Sequence, residues 1–234
     1  MLINERHDSI IEILKANRFA NVKFLAKALF VSEATIRRDL TEMKNLGLIE
    51  RTHGGASLPD NAEEVSIFVR MNENAKEKEI IASKALLNLP NFHSVFIDSS
   101  STAMALAERM DLSFKTVVTN NLQTAIQLSK KPNINLILLG GNVYYNTNSS
   151  TGSFTTKQLE EFSFDLVILS CFAIDKEEIF ERSLEQKELK LTALKRGKYK
   201  VLLADHTKFS NNGIYLLGKL NDFDLFVSDV ELEK

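Results

Sequence analysis

The chain opens with apolar positions at a helical beat. Ile3, Ile10, Ile11, Ile13 and Leu14 fall on one side of a helix. Val22, Leu25, Ala26 and Leu29 follow at i, i+3, i+4 and i+7 and predict a second. A third opens at Ser32, whose hydroxyl can accept amides of the first turn, carries Ile36, Leu40 and Met43, and ends near Gly47. Only Phe30 and Val31 separate the second helix from that cap, which forces a tight turn and a helix-turn-helix layout. Strands at Leu48–Thr52 and Ala56–Leu58, separated by His53-Gly54-Gly55, predict a hairpin and complete a winged helix.

From Pro59 to Asn74 the apolar register lapses, so this stretch reads as a linker, with a helix beginning between Arg70 and Lys76 and running to Leu89. Apolar, β-rich runs then alternate with helical ones. The strands are Val95–Ile97, Thr116–Val118, Asn135–Leu139, Leu166–Leu169, Val201–Ala204 and Asp224–Val227; the helices are Ala103–Met110, Leu122–Leu128, Lys157–Phe162 and Leu184–Leu194. Nearly all-apolar strands alternating with helices predict an α/β fold, a mostly parallel sheet covered on both faces. The expected organisation is a winged helix-turn-helix domain over 1–58, a linker over 59–74 and an α/β domain over 75–234.

Bulk numbers narrow the function classes. With 234 residues, two unequal domains can each bury a core. No apolar run approaches the ~20 residues of a membrane span, and the first ten residues lack a signal-peptide pattern, so a cytoplasmic protein without a membrane partner is expected. One cysteine, Cys171 in the apolar run LVILSCFAI, reads as a small buried hydrophobe, and four scattered histidines make no metal-ligand spacing. No metal or other cofactor is called for. Residues 1–57 hold 9 Lys and Arg against 7 Asp and Glu, and the remainder 20 against 24, a weak N-terminal bias toward nucleic acid.

Arg37 and Arg38 sharpen that bias. At 100° per residue, Ile36, Leu40 and Met43 fall within about 60° of one another, while Ala34, Arg37, Arg38 and Thr41 cluster on the opposite side. The pair lies in the first turns of the second helix of a helix-turn-helix, the part that enters the major groove. There Arg can hold guanine or phosphate bidentately.

In the α/β half, ligands of doubly wound sheets bind beyond the carboxyl ends of the strands. The residues there are Asp98-Ser99-Ser100-Ser101-Thr102, Thr119-Asn120-Asn121, Gly140-Gly141 and Asp205-His206-Thr207-Lys208. Ser99 to Thr102 could face an anion with amides and hydroxyls, or could serve only to cap the following helix; the residues alone leave both open. Lys208, directly after a strand, suits anion contact.

The run VSEATIRRDLTEMKNLGLIERTHGGA resembles the signature of the DeoR family of bacterial transcriptional repressors, and EKEIIASKAL, FIDSSST, VVTNNL, LLGG with Thr151-Gly152, and LLADHTKF continue the resemblance over nearly the whole chain. It implies a sensor domain with a ribose-5-phosphate isomerase-like fold that binds a phosphorylated sugar or related metabolite, and a homodimer or homotetramer on double-stranded operator DNA. It implies that Ser32, Thr35, Arg37 and Arg38 lie in the recognition helix and Arg51, His53 and Gly54 in or near the wing. Thr35 and Arg38 are assigned to base edges, Arg37 and Arg51 to phosphates. By the same resemblance Asp98, Ser99, Ser100, Ser101, Thr102, Thr119, Asn120, Gly140, Gly141, Gly152, Glu185 and Lys208 are effector-site residues. Two departures stand out: Ser100 replaces the family's usual glycine, adding a side chain where close backbone approach can matter, and FAIDKEEIFERS lacks the glycine usually found after its Asp. The competing class is a sugar-phosphate isomerase or deaminase with an accessory DNA domain. Asp98, Asp175, Glu177, Glu178 and Lys208 are its candidate groups, with Asp175 to Glu178 reading more simply as a solvated loop.

Overall fold

The computed structural model describes residues 3–17, 19–52, 54–57, 66–210 and 212–231. It divides into two compact units, Met1–Glu73 and Asn74–Lys234.

The first unit contains α1 (Ile3–Asn17), β1 (Phe19–Asn21), α2 (Val22–Ala28), α3 (Glu33–Asn45), β2 (Glu50–Thr52), β3 (Gly55–Ser57) and α4 (Ile67–Asn72). Its core is the apolar stripe read from the sequence: Ile10, Leu14, Leu25, Ile36, Leu40 and Met43 are fully buried. Short polar caps cut the helices to length. Asn21 Oδ1 accepts from Phe24 N at 2.7 Å to start α2, and Ser32 Oγ accepts from Thr35 N at 3.1 Å to start α3. The turn between them passes through Phe30 in the left-handed region, φ 55°.

Three features of this unit differ from expectation. The wing is a three-stranded antiparallel sheet in the order β1-β3-β2, because Phe19–Asn21 pairs with Gly55–Ser57 from the far side. That pairing explains Gly55: a Cβ there would lie 2.3 Å from the carbonyl oxygen of Ala20. Leu48 and Ile49 are core residues preceding a strand that begins at Glu50. Finally, the stretch expected to be linker is not linker throughout, since α4 buries Ile67 and Val69. The chain breaks instead at Asn74, whose left-handed φ of 51° separates α4 from the next helix. His53, Leu58 and the 59–65 part of the linker lie outside the described residues.

The second unit runs α5 (Ala75–Leu86), β4 (Ser94–Ile97), α6 (Ser101–Arg109), β5 (Thr116–Thr119), α7 (Leu122–Leu128), β6 (Asn135–Leu138), β7 (Asn142–Tyr144), β8 (Ser149–Thr151), α8 (Ser153–Glu160), β9 (Phe164–Ser170), β10 (Ala173–Asp175), β11 (Glu178–Glu181), α9 (Leu184–Arg196), β12 (Gly197–Ala204), β13 (Tyr215–Lys219) and β14 (Leu225–Ser228). Six strands form one sheet in the order β14-β12-β9-β4-β5-β6, every pair parallel. Its central strands are buried on both faces, which is why they read as unbroken apolar runs. One core layer joins Ile97, Leu106, Leu166 and Leu203; the other joins Phe96, Val167, Leu202 and Leu189.

The order of strands matters for function. From β4 the chain steps outward through β5 to β6, then returns to β9 on the opposite side of β4. The reversal falls at the carboxyl ends of β4 and β9, where doubly wound sheets take ligands. The sequence pattern missed two additions there. One is the β7–β8 hairpin; the other is a small antiparallel sheet, β10-β11-β13. Asp175 to Glu178, read as a solvated loop, is the exposed turn of the β10–β11 hairpin, with Lys176 at φ 53°.

Candidate functional site

On α3 the buried side holds Ile36, Asp39, Leu40 and Met43, leaving Arg37 and Arg38 exposed. Ser32 and Thr35 share a hydroxyl contact of 2.8 Å at the first turn. Arg37 pairs with Glu33 at 3.1 Å, an exposed i,i+4 pair worth only tenths of a kcal/mol and easily exchanged for another anion. Arg51, on β2, donates to the Arg37 backbone carbonyl at 3.3 Å, which ties the wing to α3. Gly54 is exposed at the hairpin tip, φ 84°, and His53 is outside the described residues.

One residue in the run Arg-Arg-Asp was not singled out by the sequence reading. Asp39 is 1% exposed and takes the guanidinium of Arg6 through both oxygens, at 2.5 and 2.8 Å, with His7 Nε2 3.8 Å away. A buried fork thus ties α1 to α3 beneath the arginine face.

The α/β site is built on Asp98, immediately after β4 and 2% exposed. Its Oδ1 accepts from Ser100 N at 2.9 Å and Ser100 Oγ at 2.5 Å; its Oδ2 accepts from Ser170 N at 3.0 Å and faces Lys190 Nζ at 3.2 Å. With both oxygens engaged, Asp98 holds the loop rather than reaching out of it. Ser100 Oγ also accepts from Ala103 N at 3.1 Å and so caps α6. Its φ of −83° is one that any residue adopts, so serine replaces glycine here without backbone strain. Ser99 donates to Gln186 Oε1 at 3.3 Å, while Ser101 and Thr102 occupy the first turn of α6.

Lys190 was also missed. It is 6% exposed on α9 and lies between Asp98 and Glu181, donating to Glu181 Oε1 at 2.5 Å and to the Ser170 carbonyl at 2.7 Å. Burial alone would lower its pKa, but the two carboxylates outweigh that and raise it above the ordinary lysine value. Cys171 sits beside this cluster; burial first, then the charge of Glu181, pushes its thiol up to about 12, so it is a neutral core side chain.

The other strand ends form a second polar group. Thr119 Oγ1 accepts from Asn121 N, Asn121 Oδ1 caps α7 through Thr124 N at 2.8 Å, and Asn121 Nδ2 donates to the Thr147 carbonyl at 2.9 Å. Asn120 Nδ2 donates to the Ser150 carbonyl at 2.9 Å. Gly140 exchanges hydrogen bonds with Gln158, and Gly141 packs against Thr155, whose hydroxyl would meet a Cβ at 2.1 Å. Gly152 begins α8 with φ 93° and open space around it. Gln186 ties the two groups, accepting from Ser99 and donating to Ser149 Oγ at 3.1 Å. Glu185, the sequence candidate on this helix, is its half-buried neighbour without that link. Lys208 lies half-buried in a short 3-10 turn, His206–Ser210, after β12.

Among the described residues no group of His, Cys, Asp and Glu could hold a metal ion, and no helix is long and apolar enough to cross a membrane. Two family models match this chain: a DeoR-like helix-turn-helix domain over residues 6–62 and a DeoR C-terminal sensor domain over residues 73–230. The chain is 35% identical over 233 residues to the HTH-type transcriptional regulator GolR of Listeria innocua, covering 98% of this chain and 92% of that one. It is 32% identical to the glycerol-3-phosphate regulon repressor of Escherichia coli, covering 96% and 90%. Among solved structures, ribose 5-phosphate isomerase A of Methanocaldococcus jannaschii aligns at TM-score 0.42 and 12% identity, covering 58% of this chain and 55% of that one, a likeness too distant to bear on chemistry.

Proposed function

The chain belongs to the DeoR family of transcriptional regulators, and from that premise we propose that it is a cytoplasmic repressor of sugar metabolism or uptake genes whose hold on operator DNA is set by a phosphorylated sugar or related metabolite. The observation that carries the DNA half is the outer face of α3, where Arg38 stands exposed beside Thr35 while the opposite face is core. Thr35 and Arg38 read base edges; Arg37 on α3 and Arg51 on the wing hold phosphates, with Ser32, His53 and Gly54 alongside. A homodimer or homotetramer would present two such faces to repeated half-sites. The name of the E. coli relative and the polar strand ends support the effector half.

Two measurements test this reading. Arg37→Ala should weaken operator binding and reduce the slope of log affinity against log salt by about one for each phosphate that the side chain no longer holds, whereas Arg38→Ala should relax discrimination at one base position by about 1–3 kcal/mol. An unchanged salt slope for Arg37→Ala removes it from the phosphates. For the effector, a thermal-shift scan should find a phosphorylated sugar that stabilises the protein, by about 2.7 kcal/mol at 100 times its Kd, while its unphosphorylated counterpart does not.

In that site Asp98 and Ser100 position the loop, Ser99, Ser101 and Thr102 offer amides and hydroxyls to the phosphate, and Thr119, Asn120, Gly140, Gly141, Gly152, Glu185 and Lys208 surround the ligand. The relatives carry regulator names, and Asp175, Glu177 and Glu178 are solvent-exposed, which favours sensing over turnover. Measurable isomerisation of ribose 5-phosphate would overturn that.

A further inference from the structure

Buried polar side-chain atoms without a partner are rare in folded proteins, and each needs a reason. Two of them lie on adjoining segments at the strand ends: Asn120 Oδ1 and Thr151 Oγ1, on residues 0% and 2% exposed. Asn120 is tied to the residue before Thr151: its Nδ2 donates to the Ser150 carbonyl at 2.9 Å and Ser150 N donates to the Asn120 carbonyl at 2.8 Å. The first of these bonds also fixes which way the amide points. Turning it over would set Oδ1 against the Ser150 carbonyl, oxygen to oxygen, so Oδ1 is the atom left over. One residue beyond Thr151 the chain reaches Gly152, where an added Cβ would meet nothing within 4 Å. Thr151 thus immediately precedes the open position at the amide end of α8.

We infer that Asn120 and Thr151 are the specificity-determining pair of the effector site, and that they read an alcohol group on the ligand. The inference rests on the sugar-phosphate reading above and deepens it. Asn120 Oδ1 can only accept, so it needs a donor; Thr151 Oγ1 can give its proton to an acceptor. A ligand hydroxyl does both at once, donating to Asn120 and accepting from Thr151. A carboxylate, carbonyl or phosphate oxygen only accepts, and would leave Asn120 Oδ1 buried and opposed. The phosphate of the ligand therefore lies elsewhere, at the Ser99–Thr102 end, and the Asn120–Thr151 end takes the polyol. The site selects a phosphorylated polyol or sugar over a phosphorylated acid of the same length.

Thr151→Val tests this cleanly, since the change is nearly isosteric and Thr151 Oγ1 gives up no internal hydrogen bond. The full-length protein and the variant are titrated with inorganic phosphate, glycerol 3-phosphate, 3-phosphoglycerate, and the 6-phosphates of glucose and fructose with their unphosphorylated sugars. The expected result is a melting temperature in Thr151→Val equal to or above that of the parent. Affinity for the preferred sugar or polyol phosphate falls about tenfold, one neutral hydrogen bond, while that for inorganic phosphate stays the same. Thr151→Ser restores the affinity. If Thr151→Val binds the same ester as tightly as the parent, the inference is overturned and the sugar-phosphate reading stands. If the parent binds only an unphosphorylated polyol and Thr151→Val weakens it, the alcohol-reading pair stands and the phosphate reading falls. If no probe binds the parent, both fall.

Discussion

Replacing Lys190 with methionine should destabilise the α/β unit by about 3–5 kcal/mol, seen in calorimetry as a fall of roughly 10 °C or more in its transition. The size follows from what remains behind. Asp98 and Glu181 are both buried, and Lys190 is the cation between them. Taking it away leaves two buried carboxylates without the cation between them, which costs far more than the pair contributes when whole. The companion Lys190→Met, Asp98→Asn, Glu181→Gln should recover much of the loss, because a neutral, hydrogen-bonded set carries no such penalty. Equal destabilisation in the single and triple variants would show that packing of the lysine stem, not charge, is at stake. The pH dependence has a definite sign. A lysine whose pKa is raised in the folded state contributes its full stabilisation below the unfolded value near 10.4 and loses it as pH rises from there toward the folded value. Stability from this group should be flat through neutral pH and decline only in alkali.

Lys190 also shows where sequence reading stops. In the string LEQKELKLTALKR it is one charge among many, and helix charges are usually solvated. Nothing local marks it as the one that turns inward, because its partners come from the ends of β4 and β11. Gln186 was invisible for the same reason. By contrast, Asp98 to Thr102, Thr119, Asn120 and the glycines at 140 and 141 were legible, since the strand pattern alone puts them at carboxyl ends. The elements divide likewise. Central strands and the three N-terminal helices carry strong periodicity and emerged within a few residues of their bounds. The elements that escaped are short ones whose pairing is distant or whose surface is polar. They include β1, whose partner β3 is more than thirty residues away, and β7–β8, three residues to a strand; another is α4, six residues with two buried side chains in a stretch read as linker. Ser100 is a further case: the resemblance marked it as a missing glycine, and the geometry makes it the cap of α6.

Asp39 gives the second large effect, and it separates affinity from contact. Asp39→Ala leaves the Arg6 guanidinium buried at a site where the carboxylate had held it at 2.5 and 2.8 Å, a loss of about 3–5 kcal/mol. The unit that bears it spans only Met1–Glu73, and small domains have little stability to lose. Its calorimetric transition should drop by more than about 10 °C, with operator affinity at 37 °C falling as the folded fraction falls. Asp39 is 1% exposed, so it cannot itself reach DNA. Two observations distinguish this indirect role from a direct hold on DNA. Well below the variant's transition, operator affinity should approach that of the parent, and the salt slope should be unchanged because every phosphate is still held. The paired change Arg6→Met with Asp39→Leu should restore much of the stability, since apolar side chains can replace a buried ion pair at little cost. An Asp39→Ala protein that melts with the parent would mean that water reaches the pair. One that keeps its fold but shows a shallower salt slope would place Asp39 at the DNA surface after all.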